Sequence, residues 1–309
     1  MRFRFHIWQL PVLVIVVCAG AVALAHWHQA SRRFDASALI QCLPQDRATH
    51  VYIDAAALRA SGILDLVAGA KAAEEADYRN FVDQTGFDYR TDLDAVAAAF
   101  MRGDVYMALR GRFDWKKLSE YARSNHGECR NTVCQMPASE PGRYISFYPL
   151  KSGVLALAVS TQQSAVTMIG PNQWKNPPRL PPEPVWISAP AFDFTDVANL
   201  PAGTHAFLSP LADAQRVTFA VGLASTGQLE IRLDVTCADA ASAATLTNRL
   251  TAATDLLKKM LARDHMTPNP RDLSGVLVAG NFKQQDRRVT GIWPIDRAFV
   301  QSLAGGTVQ

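Results

Sequence analysis

Several things are scarce in this chain of 309 residues. Only 19% of it is charged, and 31 Lys and Arg stand against 28 Asp and Glu, a net charge of +3. Basic residues nowhere gather into runs, so a nucleic-acid or polyanion binder is excluded as the natural reading. No metalloprotease helix, P-loop, dinucleotide glycine fingerprint, serine-hydrolase elbow or Cys-x-x-Cys pair occurs. The histidines are scattered at His6, His26, His28, His50, His126, His205 and His265. Against these absences stand 49% hydrophobic residues, 18 Gly and 17 Pro, which exclude a disordered or fibrous chain. The length fits about two domains, each large enough to bury a core.

What is present begins at the N-terminus, where Arg2 and Arg4 precede an uncharged, mostly apolar stretch from Phe5 to His26. Residues 7–25 are long enough to span a hydrocarbon core of about 30 Å, and Trp8 and Trp27 stand where interfacial aromatics belong. One transmembrane helix is expected within an N-terminal anchor region, residues 1–33. The rival is a cleaved signal peptide, because Leu10 to Val17 makes a short apolar centre and Ala23-Leu24-Ala25 offers a small-x-small cleavage pattern. Cys18 follows Val17 rather than a small residue, which speaks against a lipoprotein cysteine. The pair His26-x-His28 fits a membrane boundary better than a metal site. The expected address is a single-pass inner (cytoplasmic) membrane protein with its C-terminal part in the bacterial periplasm, or release to the periplasm if the chain is cut after Ala25. Without residues 1–25, which hold Arg2 and Arg4 and no acids, the net charge falls to +1.

Cysteine usage agrees with export, since Cys42, Cys129, Cys134 and Cys237 all follow the apolar segment. Four residues separate Cys129 from Cys134, a loop that a hairpin can close, with Gly127 and Asn131 supplying turn chemistry. A local disulfide is expected there. A redox dithiol would place two residues between its thiols, and zinc would need two more ligands, of which only His126 is at hand. Cys42 and Cys237 either pair or remain thiols, and spacing leaves both open.

Six of the 17 prolines fall in residues 171–184, which predicts an extended, polyproline-like linker between a first domain at 37–170 and a second at 185–304. A strand leading through an aspartate into a helix recurs four times, at Asp54, Asp114, Asp239 and Asp296. Such aspartates look catalytic, yet their expected job is to accept the orphan N–H groups of a first helical turn. The longest helix is predicted from Asp239 to Arg263, with Ala243, Leu246, Leu250, Ala253, Leu257 and Met260 on one face. A charged helix is predicted at 74–85 with Gly86 at its end, and a hairpin from Arg143–Tyr148 and Val154–Val159. The fold class is therefore α+β: a transmembrane helix or signal peptide, then two sheet-plus-helix halves with mostly antiparallel strands. Their similar design suggests an internal duplication.

The run Val51-Tyr-Ile-Asp54-Ala-Ala-Ala-Leu58-Arg59, followed by Phe81-Val-Asp-Gln-Thr85-Gly86-Phe87-Asp88-Tyr89-Arg90-Thr-Asp92-Leu93, resembles uncharacterised exported bacterial proteins. They carry the same strand-Asp-helix and Thr-Gly-Phe-Asp signature. The resemblance implies an anchored extracytoplasmic α+β protein with no assigned activity, and it carries over no catalytic residue. This chain departs from the pattern at Tyr89, where proline is common after the aspartate.

Two further groups have the residue types of a site. Asp88, Asp92 and Asp94 form a carboxylate cluster, but the terminal Glu of a calcium loop is missing and Arg90 would compete with a cation, so a solvated turn is expected. Trp115-Lys116-Lys117 reads as the start of an amphipathic helix rather than a stacking platform for bases. No catalytic, metal or cofactor residue is nominated and no cofactor is expected. The function expected is a noncatalytic envelope-anchored binding or scaffold module. Its partners would be the bacterial membrane, through residues 7–25, and an unknown envelope protein or hydrophobic ligand, without nucleic acid. The alternative is an extracytoplasmic enzyme with a dispersed active site. A deep pocket of convergent His, Asp or Cys would favour the enzyme, and an exposed apolar patch or open sheet edge would favour binding.

Overall fold

In the computed structural model the described residues are 36–64, 76–171, 173–174, 179–195, 202–224, 226 and 228–304. The predicted anchor at 7–25, Trp8, Trp27 and the cleavage position at Ala25 lie outside them. Among the described residues no helix is long and apolar enough to cross a membrane.

The first half of the chain runs α1 (Ala36–Ile40), β1 (Thr49–Ile53), α2 (Ala55–Ala60), α3 (Ala76–Thr85), α4 (Tyr89–Asp92), β2 (Leu93–Met101) and β3 (Asp104–Gly111). It continues with α5 (Trp115–Ser124), β4 (Glu128–Arg130), β5 (Val133–Pro137), β6 (Tyr144–Lys151), β7 (Val154–Ser160) and a short 3-10 helix at Ala165–Met168. The second half runs β8 (Val185–Pro190), a 3-10 helix at Ala191–Phe194, α6 (Ala202–Leu208), β9 (Arg216–Leu223) and β10 (Leu229–Thr236). It ends with α7 (Ala240–Arg263), α8 (Leu273–Leu277), β11 (Asn281–Gln285), β12 (Arg288–Ile295) and α9 (Arg297–Ala304).

The predicted caps explain where the helices start. Asp54, Asp114, Asp239 and Asp296 accept from the backbone N–H of Ala57, Lys117, Ser242 and Ala298 at 2.8, 3.1, 2.7 and 2.8 Å. Gly86 closes α3 at φ 70°, and Asn131 turns the β4–β5 hairpin at φ 55°, a left-handed conformation that asparagine tolerates.

Among the described residues all strand pairings are antiparallel, and the expectation of two sheets is corrected to one. Twelve strands lie in the order β11-β12-β10-β9-β8-β1-β2-β3-β7-β6-β5-β4. The join is β1 against β8, with Tyr52 opposite Trp186 and Ile53 opposite Val185. Two central strands that each need a second neighbour satisfy one another's backbone groups, so the sheet does not stop at the proline-rich segment. That segment is tied down where it is described. The Gly170 and Gln173 N–H groups donate to the carbonyls of Cys42 and Gln41, Trp174 Nε1 donates to the Leu43 carbonyl, and the Pro184 carbonyl accepts from Asp54 N–H.

Outward from the join, the halves repeat one topology. Strand order is β1-β2-β3-β7-β6 on one side and β8-β9-β10-β12-β11 on the other. In both, the first strand leads through helical turns into an antiparallel pair, then a helix, then a hairpin whose second strand returns beside that pair. The β4–β5 hairpin is an addition of the first half, placed at the sheet edge.

Residues directly opposite across a ladder share a face. One row, Leu155, Leu109, Val96, Ile53, Val185, Val221, Ile231 and Trp293, crosses eight strands on the helix-covered face. At one end α5 buries Leu118 and Ala122 against Leu155, Phe147 and Cys134. At the other, α7 buries Ala243, Leu246, Leu250 and Ala253 against Val217, Leu233, Val235 and Trp293. The predicted stripe of α7 fades toward its end, where Met260 is exposed.

The opposite face is small and apolar in the first half, with Ala97, Ala99, Ala108, Ala156 and Ala158 fully buried. Alanines let a strap lie close to the backbone, and the buried Leu39, Ile40, Leu43, Val166, Ile169 and Trp174 form it. Ser146 Oγ accepts from Val166 N–H and Tyr148 donates to the Ile169 carbonyl, fixing strap to sheet. In the second half the same face turns polar, with Arg232 paired to Glu183 and Glu230 and Arg288 paired to Asp234.

Candidate functional site

The Thr-Gly-Phe-Asp signature becomes a fastened turn. Phe81 and Phe87 lie edge to face, Phe87 stacks on Phe113 at 4.9 Å between ring centres, and Phe81 meets Tyr121 of α5 at 5.1 Å. Asp88 caps α4 by accepting from Arg90 N–H and also accepts from Tyr78 Oη at 2.8 Å. The Arg90 guanidinium, 2.6 Å away, holds the Asp88 carboxyl down at about 2. Burial, reinforced by the neighbouring Asp88 carboxylate, pushes the Tyr78 phenol up to about 12. Asp92 accepts from Asp88 N–H and pairs with Arg112 at 2.9 Å, while Asp94 falls in a β-bulge between Leu93 and Ala95. Arginines thus occupy the oxygens that a cation would need, and among the described residues no group of three His, Cys, Asp or Glu could hold a metal. The carboxylates fix a turn, as the sequence suggested.

Beside this turn lies an open concavity of about 870 Å³, lined by Thr85, Gly86, Asp92, Arg112, Phe113 and Lys117 among others. Its carboxylates are already engaged: Asp92 with Arg112, and Asp114 with the Lys117 backbone N–H. Trp115 turns onto Phe147 at 5.8 Å and, partly buried, packs against the core cluster under α5.

Cys129 and Cys134 form the predicted disulfide and stand directly opposite one another across β4 and β5, with Cα atoms 4.0 Å apart. Cys134 is buried under α5. Cys42 and Cys237 are both buried thiols, and burial raises the pKa of each. A buried, protonated thiol is a poor nucleophile.

The feature that spacing did not reveal lies where the halves meet. On the helix-covered face, the central strands β1, β2 and β8 present aliphatic and aromatic side chains between the two helical clusters. Phe100 is 45% exposed and Ile187 40% exposed, with Val51, Ile53 and Val185 only partly covered. Val51 pairs with Ile187, and Thr49, next but one along the strand, pairs with Phe100. Phe192, just beyond β8, is 49% exposed, and its neighbour Asp193 accepts from the Thr49 hydroxyl. A second opening of about 350 Å³, at one end of this strip, is lined by Thr49, Phe100, Arg102, Asp104 and Asp193. The sequence signal was present only in hindsight: β1 carries Val51 and Ile53 on one face and Tyr52 on the other, the mark of a central strand apolar on both sides. Comparison with known protein families, with curated proteins and with solved structures found no match.

Proposed function

We propose that this chain is a noncatalytic, envelope-anchored extracytoplasmic binding module whose partner is an envelope protein or hydrophobic ligand. The observation that carries this reading is the partly exposed apolar strip of Phe100, Ile187 and Phe192 at the middle of the sheet. Apolar surface gathered at one place on a rigid scaffold is what a binding face requires, and large aromatics dominate such contacts. The Cys129–Cys134 disulfide supports an oxidising compartment, and residues 7–25 supply a segment of membrane-spanning length.

The test places a photo-crosslinking residue at Ile187 in intact cells, with Thr290 on the opposite face as control. A discrete adduct at 187 that vanishes on adding Phe100→Asp, and is absent at 290, is the expected result. Equal or no capture at both positions refutes the reading. Separately, full-length protein is expected to resist alkaline extraction from membranes, and a mature N-terminus at His26 would replace the anchor by a cleaved signal.

A further inference from the structure

On the face opposite Ile187, the residues facing one another across β1, β8 and β9 are His50, Ser188 and Thr218. Ser188 Oγ accepts a hydrogen bond from Thr218 Oγ1 at 2.9 Å and a second from Arg216 Nη1 at 3.3 Å. Both lone pairs of the serine oxygen are used, and its own proton is left to donate. Directly across the ladder, His50 Nε2 contacts the Pro44 carbonyl at 2.9 Å while the buried Nδ1 has no hydrogen-bond partner. The polar row thus keeps one buried unpartnered nitrogen, at His50, and one hydroxyl proton, at Ser188, with no acceptor among the described residues.

Arg216 sits at the start of β9, partly buried. A guanidinium carries five N–H donors in a planar fork, yet the single 3.3 Å bond to Ser188 is the one Arg216 makes among the described residues. Burial lowers its pKa and Asp193 acts in the opposite direction, but the Asp193 carboxylate is engaged by the Thr49 hydroxyl and forms no ion pair with the arginine among the described residues. Cations drawn out of water are as a rule paired, because desolvation otherwise goes uncompensated. Arg232 and Arg288, on β10 and β12 of the same face, each have their carboxylates within ion-pair distance; among the described residues Arg216 has none that close.

We propose that Arg216 and Ser188 hold the carboxylate of a ligand at the seam between the halves, with Thr218 fixing the serine. The planar carboxylate matches the guanidinium fork, accepting two parallel bonds, and takes a third from the Ser188 hydroxyl. The carboxylate is that of a small organic acid or of a peptide C-terminus. The site is on the sheet face opposite the apolar strip and does not depend on it: loss of this site leaves crosslinking at Ile187 unchanged, so the two readings fail separately.

The test uses the full-length protein in detergent, labelled with ¹⁵N, and follows the Arg216 Nε–H resonance, identified by its loss in Arg216→Lys. Sodium benzoate represents the small acid; an N-acetylated pentapeptide with a free C-terminus represents the peptide, and its C-terminal amide is the control. Saturable movement with benzoate alone, with the acid peptide alone or with both is the expected result and tells the sources apart; the amide leaves the resonance still. Ser188→Ala is expected to weaken binding roughly tenfold, the worth of one hydrogen bond to a charged group, and Asp193→Asn to tighten it by removing a like charge. An Arg216 resonance that no carboxylate moves at millimolar concentration overturns the proposal without reliance on any variant, as does movement by the amide equal to that by the acid.

Discussion

At the scale of single residues, the most loaded position is His50. Its ring is 1% exposed, meets Trp174 edge to face at 4.8 Å and lies between the strap and the central ladder. Burial lowers its pKa from 6.5 to about 4, with the Pro44 carbonyl opposing that shift and the Arg216 charge adding to it. Between those pH values the unfolded chain binds a proton that the folded chain refuses. The stabilisation is therefore complete above the unfolded value of 6.5 and drains away as the pH falls to about 4. The loss attributable to this one group is about 3 kcal/mol. Urea unfolding at pH 7 and pH 4 measures it, and His50→Phe is expected to flatten the slope in that window. The aspartate caps are the plainest residue-scale case: Asp239→Ala, which leaves the Ser242 N–H without its acceptor, is expected to lower the denaturation midpoint with unchanged slope.

At the scale of elements, what could be read from the sequence is what depends on near neighbours in the chain. Alternation in residues 143–159 and the Ser152-Gly153 turn give the β6–β7 hairpin, and three- and four-residue steps of Ala and Leu give α7. The Cys129–Cys134 pairing belongs to the same class, since a hairpin closes it locally. Loop-closure entropy for so short a ring gives about 2 kcal/mol, so a Cys129→Ser, Cys134→Ser double variant is expected to lose that amount and still fold, because Leu118 and Ala122 of α5 and Phe147 of β6 also hold β5. The join of β1 to β8 was not legible. Its partners lie on opposite sides of a proline cluster that signals a boundary, and local pattern carries no term for which distant strand completes a ladder. The candidate strip was hidden for the same reason, since Phe100 and Ile187 become neighbours of one surface only when that ladder forms. Arg216 and Ser188 belong to no motif and are adjacent only through the β8–β9 register.

At the scale of the whole molecule, one sheet through both halves implies one cooperative unit from Leu39 onward. Near-ultraviolet signal from Trp115 and Trp293, in separate halves, and far-ultraviolet signal from the backbone are expected to change in a single coincident transition on heating or in urea. Two separated transitions would show that the β1–β8 ladder does not couple the halves. Asp54→Pro is a sharper probe: it removes the N–H that meets the Pro184 carbonyl at 2.7 Å, and Asp54→Ala, which like it loses the cap on Ala57 but keeps that N–H, isolates the effect on the seam.

That same ladder carries a consequence for biogenesis. A chain made N-terminus first presents β1 long before β8, since residues 54–184 must emerge between them. For that interval the outer edge of β1 is an open template of unpaired backbone groups, flanked by the side chains that will become the central rows. The repeated topology makes the hazard specific, because the edge is built to accept an antiparallel strand from a half of its own design. Two nascent first halves meeting at this stage would pair β1 with β1, so high-level expression is expected to yield strand-exchanged oligomers, and slowing synthesis or diluting the refolding chain should return the monomer.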